Sequence, residues 1–272
     1  MKKDKVYLLE DLHDEIQRLE FQDQVWADET KTLWEKAQFS HCDHILDLGC
    51  GPGFASMELA RSIKAGGKVT ALDSTLEYLE FLKQKIQKEN ISNLHTLHSP
   101  IENAPFENEQ FDGVFARMVL LFIKDLEQAL EKIFQSMRPG GRLAISDFHS
   151  YRSSFIMSPH SPKLEKILDI QHNFFLRHSC DLEIARKLPE LLMDLGFDIM
   201  SLDPIQKIGK PQNQYWTWVE IFLHKFIPQL IEEKEITKTL ADEFWLEWNT
   251  RKKDPKTFFT TPTFLNIVAK KP

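Results

Sequence analysis

The chain has 272 residues, a formal net charge of −7, 42% hydrophobic and 28% charged residues. That mix suits one large α/β domain with insertions, or one domain plus a cap, and excludes a disordered or fibrous chain. The acidic balance without a long basic run argues against a nucleic-acid partner, and no stretch approaches the ~20 apolar residues of a membrane span.

Residues 11–38 carry Leu12, Ile16, Leu19, Trp26, Leu33 and Ala37 at helical spacing, which predicts one amphipathic helix. "HILDLG" (44–49) predicts a strand, "FASMELARSIK" (54–64) a helix, and "AGG" (65–67) its stop. "KVTALD" (68–73) predicts a second strand. The helix 74–90 follows, with Ser74 or Thr75 as its cap. Strands are predicted at 94–99 and 111–117, then a helix at 125–137 and a strand at 142–148. This alternation means a parallel sheet wrapped by helices. Beyond it, "KLEKILDIQHNFFL" and residues 181–196 predict helices, and 197–206 and 264–271 predict strands. Two helical stretches fill about 210–256, far more than an ordinary connection, which predicts a lid or subdomain.

The three cysteines, Cys42, Cys50 and Cys180, follow no C-x-x-C or zinc spacing, so reduced thiols are expected. In "MKKDKVYLLEDLHDE" the apolar run is too short for a signal peptide, and a cytoplasmic location is expected.

The most informative stretch is "LDLGCGPGF". Glycine inside regular structure costs roughly 0.5–1 kcal/mol relative to alanine. Gly49, Gly51 and Gly53 in a strand-to-helix turn therefore point to a ligand that approaches bare backbone at a helix N-terminus. The dinucleotide pattern G-x-G-x-x-G fails because Phe54 stands at its third position, and no Lys-Ser/Thr of a phosphate loop follows.

With "VTALD", "FDGVFARMVL" and "MRPGGRLAISDF" in order behind it, this turn resembles the motifs of class I S-adenosylmethionine-dependent methyltransferases. The resemblance is to the small-molecule group that includes ubiquinone- and menaquinone-biosynthesis-type enzymes. It covers residues 40–150 strongly and the remainder weakly. It implies a Rossmann-like α/β fold: a seven-stranded, mostly parallel sheet ordered 3-2-1-4-5-7-6 with the last strand antiparallel and helices on both faces. It sets residues 1–40 as a helical segment capping the cofactor site and 41–272 as the methyltransferase domain, with helical lids at about 150–180 and 210–256, the latter between strands six and seven.

The resemblance implies S-adenosylmethionine as cofactor and assigns residues to it. Gly49, Cys50, Gly51 and Gly53 form the turn. Asp73, twenty positions past Gly53, and Ser74 lie at the ribose, although Asp73 also fits a helix-capping role. Asp47 orients the turn or bonds its amides. Ile101 offers a backbone N–H to adenine, where the family often has an acidic residue and this chain has Pro100. Arg117 pairs with the methionine carboxylate, with a substrate acid, or in a salt bridge. Gln22, with Arg18, either closes over the methionine end or belongs to a solvated helix face. His149 and Tyr151, after strand five, are the catalytic candidates, or ordinary loop residues. Arg117 stands where metal-dependent relatives want a carboxylate, so no metal is expected beside Asp147 and His149. The aromatic-rich insertion, with Trp216, Trp218, Trp245 and Trp248, packs onto the domain or lines a pocket for an apolar or aromatic acceptor. The expected activity is methyl transfer to a small molecule by a protein that is a possible homodimer. The alternatives are a protein or nucleic-acid methyltransferase and a non-catalytic S-adenosylmethionine-binding protein.

Overall fold

The computed structural model describes residues 12–272. The leader reading lies mostly on residues 1–11, outside the described residues. In chain order the elements are α1 (Leu12–Val25), α2 (Ala27–Lys36), β1 (His44–Leu48), α3 (Phe54–Ser62), β2 (Lys68–Asp73), α4 (Leu76–Glu89), β3 (Leu94–His98), β4 (Phe111–Arg117), α5 (Leu126–Ser136) and β5 (Met137–Ser150). They continue with β6 (Met157–Ser158), α6 (Pro162–Arg177), α7 (Leu188–Asp194), β7 (Asp198–Ile205), β8 (Ile208–Gly209), α8 (Gln214–Glu232), α9 (Lys238–Lys253), β9 (Phe258–Thr260) and β10 (Thr263–Lys270).

The large sheet has the order β3-β2-β1-β4-β5-β10-β7. Strands β1 to β5 pair in parallel and β10 pairs antiparallel with β7. With β7 and β10 as sixth and seventh strands, this is the expected class I arrangement. Every residue of β1 is buried, as befits a central parallel strand covered on both faces. On one face Ile45, Val69, Ala71, Phe115, Ala144 and Val268 form a continuous core with Leu33 and Trp34 of α2, Leu59 of α3 and Leu79 and Leu82 of α4. The reversal of strand order lies between β1 and β4, where open α/β sheets bind ligands at the carboxyl edge.

The chain forms two compact units. The sheet unit comprises Trp26–Asp147, Ile184–Ile205 and Phe264–Pro272. The helical unit comprises Leu12–Val25, Phe148–Glu183 and Gln206–Thr263. The helical unit holds α1, α6, α8 and α9 with a small antiparallel sheet ordered β6-β9-β8. Its core is aromatic: the Trp216 ring lies 4.6 Å from Trp248 and 5.2 Å from Phe259, and Phe174 lies 5.4 Å from Phe226. Side-chain oxygens of Ser161, Asn213 and Thr237 accept backbone N–H groups and so fix the starts of α6, α8 and α9.

Three elements depart from the sequence expectations. The single helix over 11–38 is two helices, broken at Trp26, whose backbone (φ −109°, ψ 13°) is not helical. The helix over 181–196 shortens to Leu188–Asp194, because Pro189 fits only the first turn of a helix. The small sheet was not expected at all. Two- and three-residue strands have no periodicity to read.

Candidate cofactor site

The turn from β1 into α3 holds three glycines in the left-handed region, with φ of +66° at Gly49, +54° at Gly51 and +82° at Gly53. A Cβ at Gly49 would lie 2.2 Å from Val119 Cγ2, and one at Gly53 2.5 Å from the methyl groups of Leu82. A Cβ at Gly51 would meet nothing within 4 Å. Packing therefore reserves Gly49 and Gly53, whereas Gly51 borders open space.

Asp73, at the end of β2, stands beside that space. Its Oδ2 accepts the Gly51 N–H at 2.8 Å and its Oδ1 accepts the Thr75 N–H at 2.8 Å. Burial raises its pKa, opposed by these backbone bonds. The Thr75 side chain and the Ser74 N–H also favour the charged form, so ribose hydroxyls would share the carboxylate's roughly four acceptor positions with these groups. The Thr75 bond replaces the expected Ser74 or Thr75 cap: Thr75 begins α4 without a side-chain cap, and Ser74 is exposed. The Ser99 N–H donates to the Asp73 carbonyl at 3.1 Å, which ties the Pro100–Ile101 segment to the end of β2. Ile101 is buried and opens a 3-10 turn there.

Asp47, buried in β1, accepts the hydroxyl of Ser56 on α3. Its carboxylate thus clamps the two ends of the turn together. Cys50 donates its N–H to the Leu72 carbonyl at 2.9 Å, and its thiol to Gly51 O at 3.4 Å. Burial raises the thiol well above its ordinary range, which disfavours the thiolate.

Arg117 ends β4 and donates through Nη1 to Thr30 Oγ1 of α2 at 2.7 Å. With Trp26, Ser146, Phe264 and Asn266 it lines a cavity of about 10 Å³, room for one water and not for a nucleoside. The buried Asn266 Oδ1 has no hydrogen-bond partner there.

The structure gathers Asp47, Gly49, Cys50, Gly51, Gly53, Asp73, Ser74 and Ile101 in the sheet unit. Gln22, His149 and Tyr151 belong to the helical unit. There Gln22 Oε1 accepts from Arg18 Nη1 at 3.3 Å and from Trp218 Nε1 at 3.1 Å, so Gln22 and Arg18 form a docked face of α1 rather than a solvated one. His149 Nδ1 lies 3.1 Å from Ser150 Oγ. Gln171 Nε2 donates to the Tyr151 hydroxyl at 2.9 Å, and burial pushes that phenol up to about 12. At neutral pH Tyr151 keeps its proton and does not act as a base. The shift has a stability consequence. Below pH 10 both folded and unfolded phenols are protonated. Between pH 10 and about 12 only the unfolded one ionises, so stability falls as pH rises through that window, by about 3 kcal/mol. Tyr151→Phe should flatten this part of a pH–stability curve, and an unchanged slope would contradict a buried phenol.

Among the described residues no group of three or more His, Cys, Asp or Glu is placed to hold a metal ion, and no helix is long and apolar enough to cross a membrane. Sequence reasoning missed Ser56, Val119, Leu82 and Thr30. Only Ser56, in the first turn after the glycines, carried a signal.

A parallel sheet with an antiparallel seventh strand, a glycine turn off β1 and an acid at the end of β2 define the class I methyltransferase fold. Residues 40–174 match the family described as "Methyltransferase domain", and that segment is a methyltransferase domain of the S-adenosylmethionine-dependent kind. The 2-phytyl-1,4-naphtoquinone methyltransferase of Nostoc punctiforme is 29% identical over 156 residues, 57% of this chain and 63% of that protein. The demethylmenaquinone methyltransferase of Lactococcus lactis is 32% identical over 163 residues, 56% of this chain and 65% of that protein. The chain thus spans just under two thirds of either relative. A solved geranyl diphosphate methyltransferase in complex with S-adenosylmethionine shares the fold, with a TM-score of 0.61 and 14% identity over 97% of this chain and 92% of that one.

Proposed function

We propose that the protein transfers a methyl group from S-adenosylmethionine to a small, apolar or aromatic acceptor, in the cytoplasm. The observation that carries this is the Asp73 carboxylate beside the open face of Gly51. When bound, the cofactor supplies an electrophilic methyl group on a sulfonium. Asp73 holds the ribose hydroxyls with Ser74 beside it. The backbone of Gly49, Cys50, Gly51 and Gly53 admits the nucleoside edge, and Asp47 keeps that backbone in place. Ile101 covers the adenine and offers its N–H. Arg117 serves the methionine end. The residues then act mainly by holding nucleophile and methyl in line, which is proximity and orientation. A base is needed only where the acceptor keeps its proton, and His149 is the candidate for it. The names of the two relatives, a 2-phytyl-1,4-naphtoquinone methyltransferase and a demethylmenaquinone methyltransferase, support a quinone-like aromatic acceptor.

Calorimetric titration with S-adenosylmethionine, S-adenosylhomocysteine and NAD tests this. Both sulfur nucleosides should bind and NAD should not. Asp73→Ala should weaken S-adenosylhomocysteine by about a hundredfold, the scale of two hydrogen bonds to a charged group. Asp73→Asn, which keeps an acceptor, should lose less. NAD binding, or full affinity in Asp73→Ala, would sink the reading.

A further inference from the structure

Asp147, at the carboxyl end of β5, is fully buried and accepts the Leu120 N–H through Oδ2 at 3.0 Å. The preceding residue, Ser146, accepts the Met118 N–H through its carbonyl at 2.9 Å. These two bonds pin the corner after β4, in which Met118 takes a left-handed φ of +53° that side chains rarely adopt. Val119 sits between the two pinned residues. It fills the space over Gly49, where any Cβ would come within 2.2 Å of its Cγ2. A buried carboxylate is costly unless its acceptor positions are used, and here one of them sets the corner that presses on the glycine turn.

We propose that Asp147 is a positioning residue for the cofactor turn. It holds Leu120, so that Val119 buttresses Gly49 and fixes where the Gly51 N–H meets Asp73. The proposal rests on reading that turn as the S-adenosylmethionine site.

Two readouts test it. Amide hydrogen exchange of the ligand-free protein follows the peptide spanning Gly49–Gly53. Calorimetry follows S-adenosylhomocysteine. Asp147→Ala should speed exchange at that peptide and weaken binding by about tenfold, the scale of one lost hydrogen bond to a charged group. Asp147→Asn keeps an acceptor oxygen for Leu120 and should restore both to within about threefold. Val119→Ala should resemble Asp147→Ala, and the double variant should be little worse than either, since residues on one path do not act independently. Effects that multiply, exchange that rises throughout the sheet unit, or full affinity in Asp147→Ala would overturn the proposal. Should Asp147→Ala fail to fold, unchanged exchange and affinity in Val119→Ala would overturn it equally. Wild-type protein that binds no S-adenosylhomocysteine, while exchange responds as expected, would sink the cofactor reading and leave the positioning intact.

Discussion

Gly51→Ala should fold much as the wild type does and lose about a hundredfold in S-adenosylhomocysteine affinity, whereas Gly49→Ala and Gly53→Ala should lose stability first. All three positions have positive φ, so each pays about 1–2 kcal/mol when a Cβ is added. At Gly51 the penalty ends there, because the new methyl group meets nothing within 4 Å. It does stand on the open face of the residue whose N–H binds Asp73, where the proposed function places the nucleoside. At Gly49 the methyl group runs into Val119 and at Gly53 into Leu82, at 2.2 and 2.5 Å, and overpacking adds about 1–3 kcal/mol. Thermal unfolding and calorimetry on the three variants separate the two kinds of loss. A Gly51→Ala protein with undiminished affinity would place the cofactor elsewhere.

The second large effect lies in the helical unit. Glu15 is 2% exposed and receives Arg18 Nη2 at 2.6 Å, Arg18 Nε at 2.9 Å and Lys225 Nζ of α8 at 3.3 Å. Removing one member of a buried ion pair leaves an uncompensated charge, at a cost of about 3–5 kcal/mol. Glu15→Ala should therefore shift the urea midpoint downward by the equivalent of roughly 3 kcal/mol. Glu15→Gln, which keeps one acceptor, should cost less. A loss under about 1 kcal/mol would mean that the network behaves as an exposed one.

Much of the sheet unit was legible because its signals are local. Apolar runs of strand length, glycine stops and the turn after Leu48 sit at the regular spacing of a parallel sheet, and the order β3-β2-β1-β4-β5-β10-β7 followed from the resemblance they carry. The glycines were legible as a group but not one by one. Val119 and Leu82, which explain two of them, lie 70 and 29 positions further along the chain, and nothing in their neighbourhoods marks them. Asp73 accepts the N–H groups of both Gly51 and Thr75, so it ties the glycine turn to the residue before α4, a link between two segments that spacing alone does not reveal. The helical unit was less legible for a physical reason. Its partners are distant in sequence: Glu15 meets Lys225, and Gln22 meets Trp218. Such pairings leave no mark on the periodicity of either helix.

The aromatic core of the helical unit also makes the molecule its own optical probe. Four of the six tryptophans, Trp216, Trp218, Trp245 and Trp248, lie in that unit, and Trp26 and Trp34 lie in the other. Trp216 and Trp248 are at most 1% exposed, with ring centroids 4.6 Å apart, close enough for their electronic transitions to couple. Their emission should therefore be blue-shifted, and their near-ultraviolet dichroism dominated by one interacting pair. The loosening of this unit can then be followed by light, without a dye or a label, once the contribution of Trp26 and Trp34 is removed by substitution.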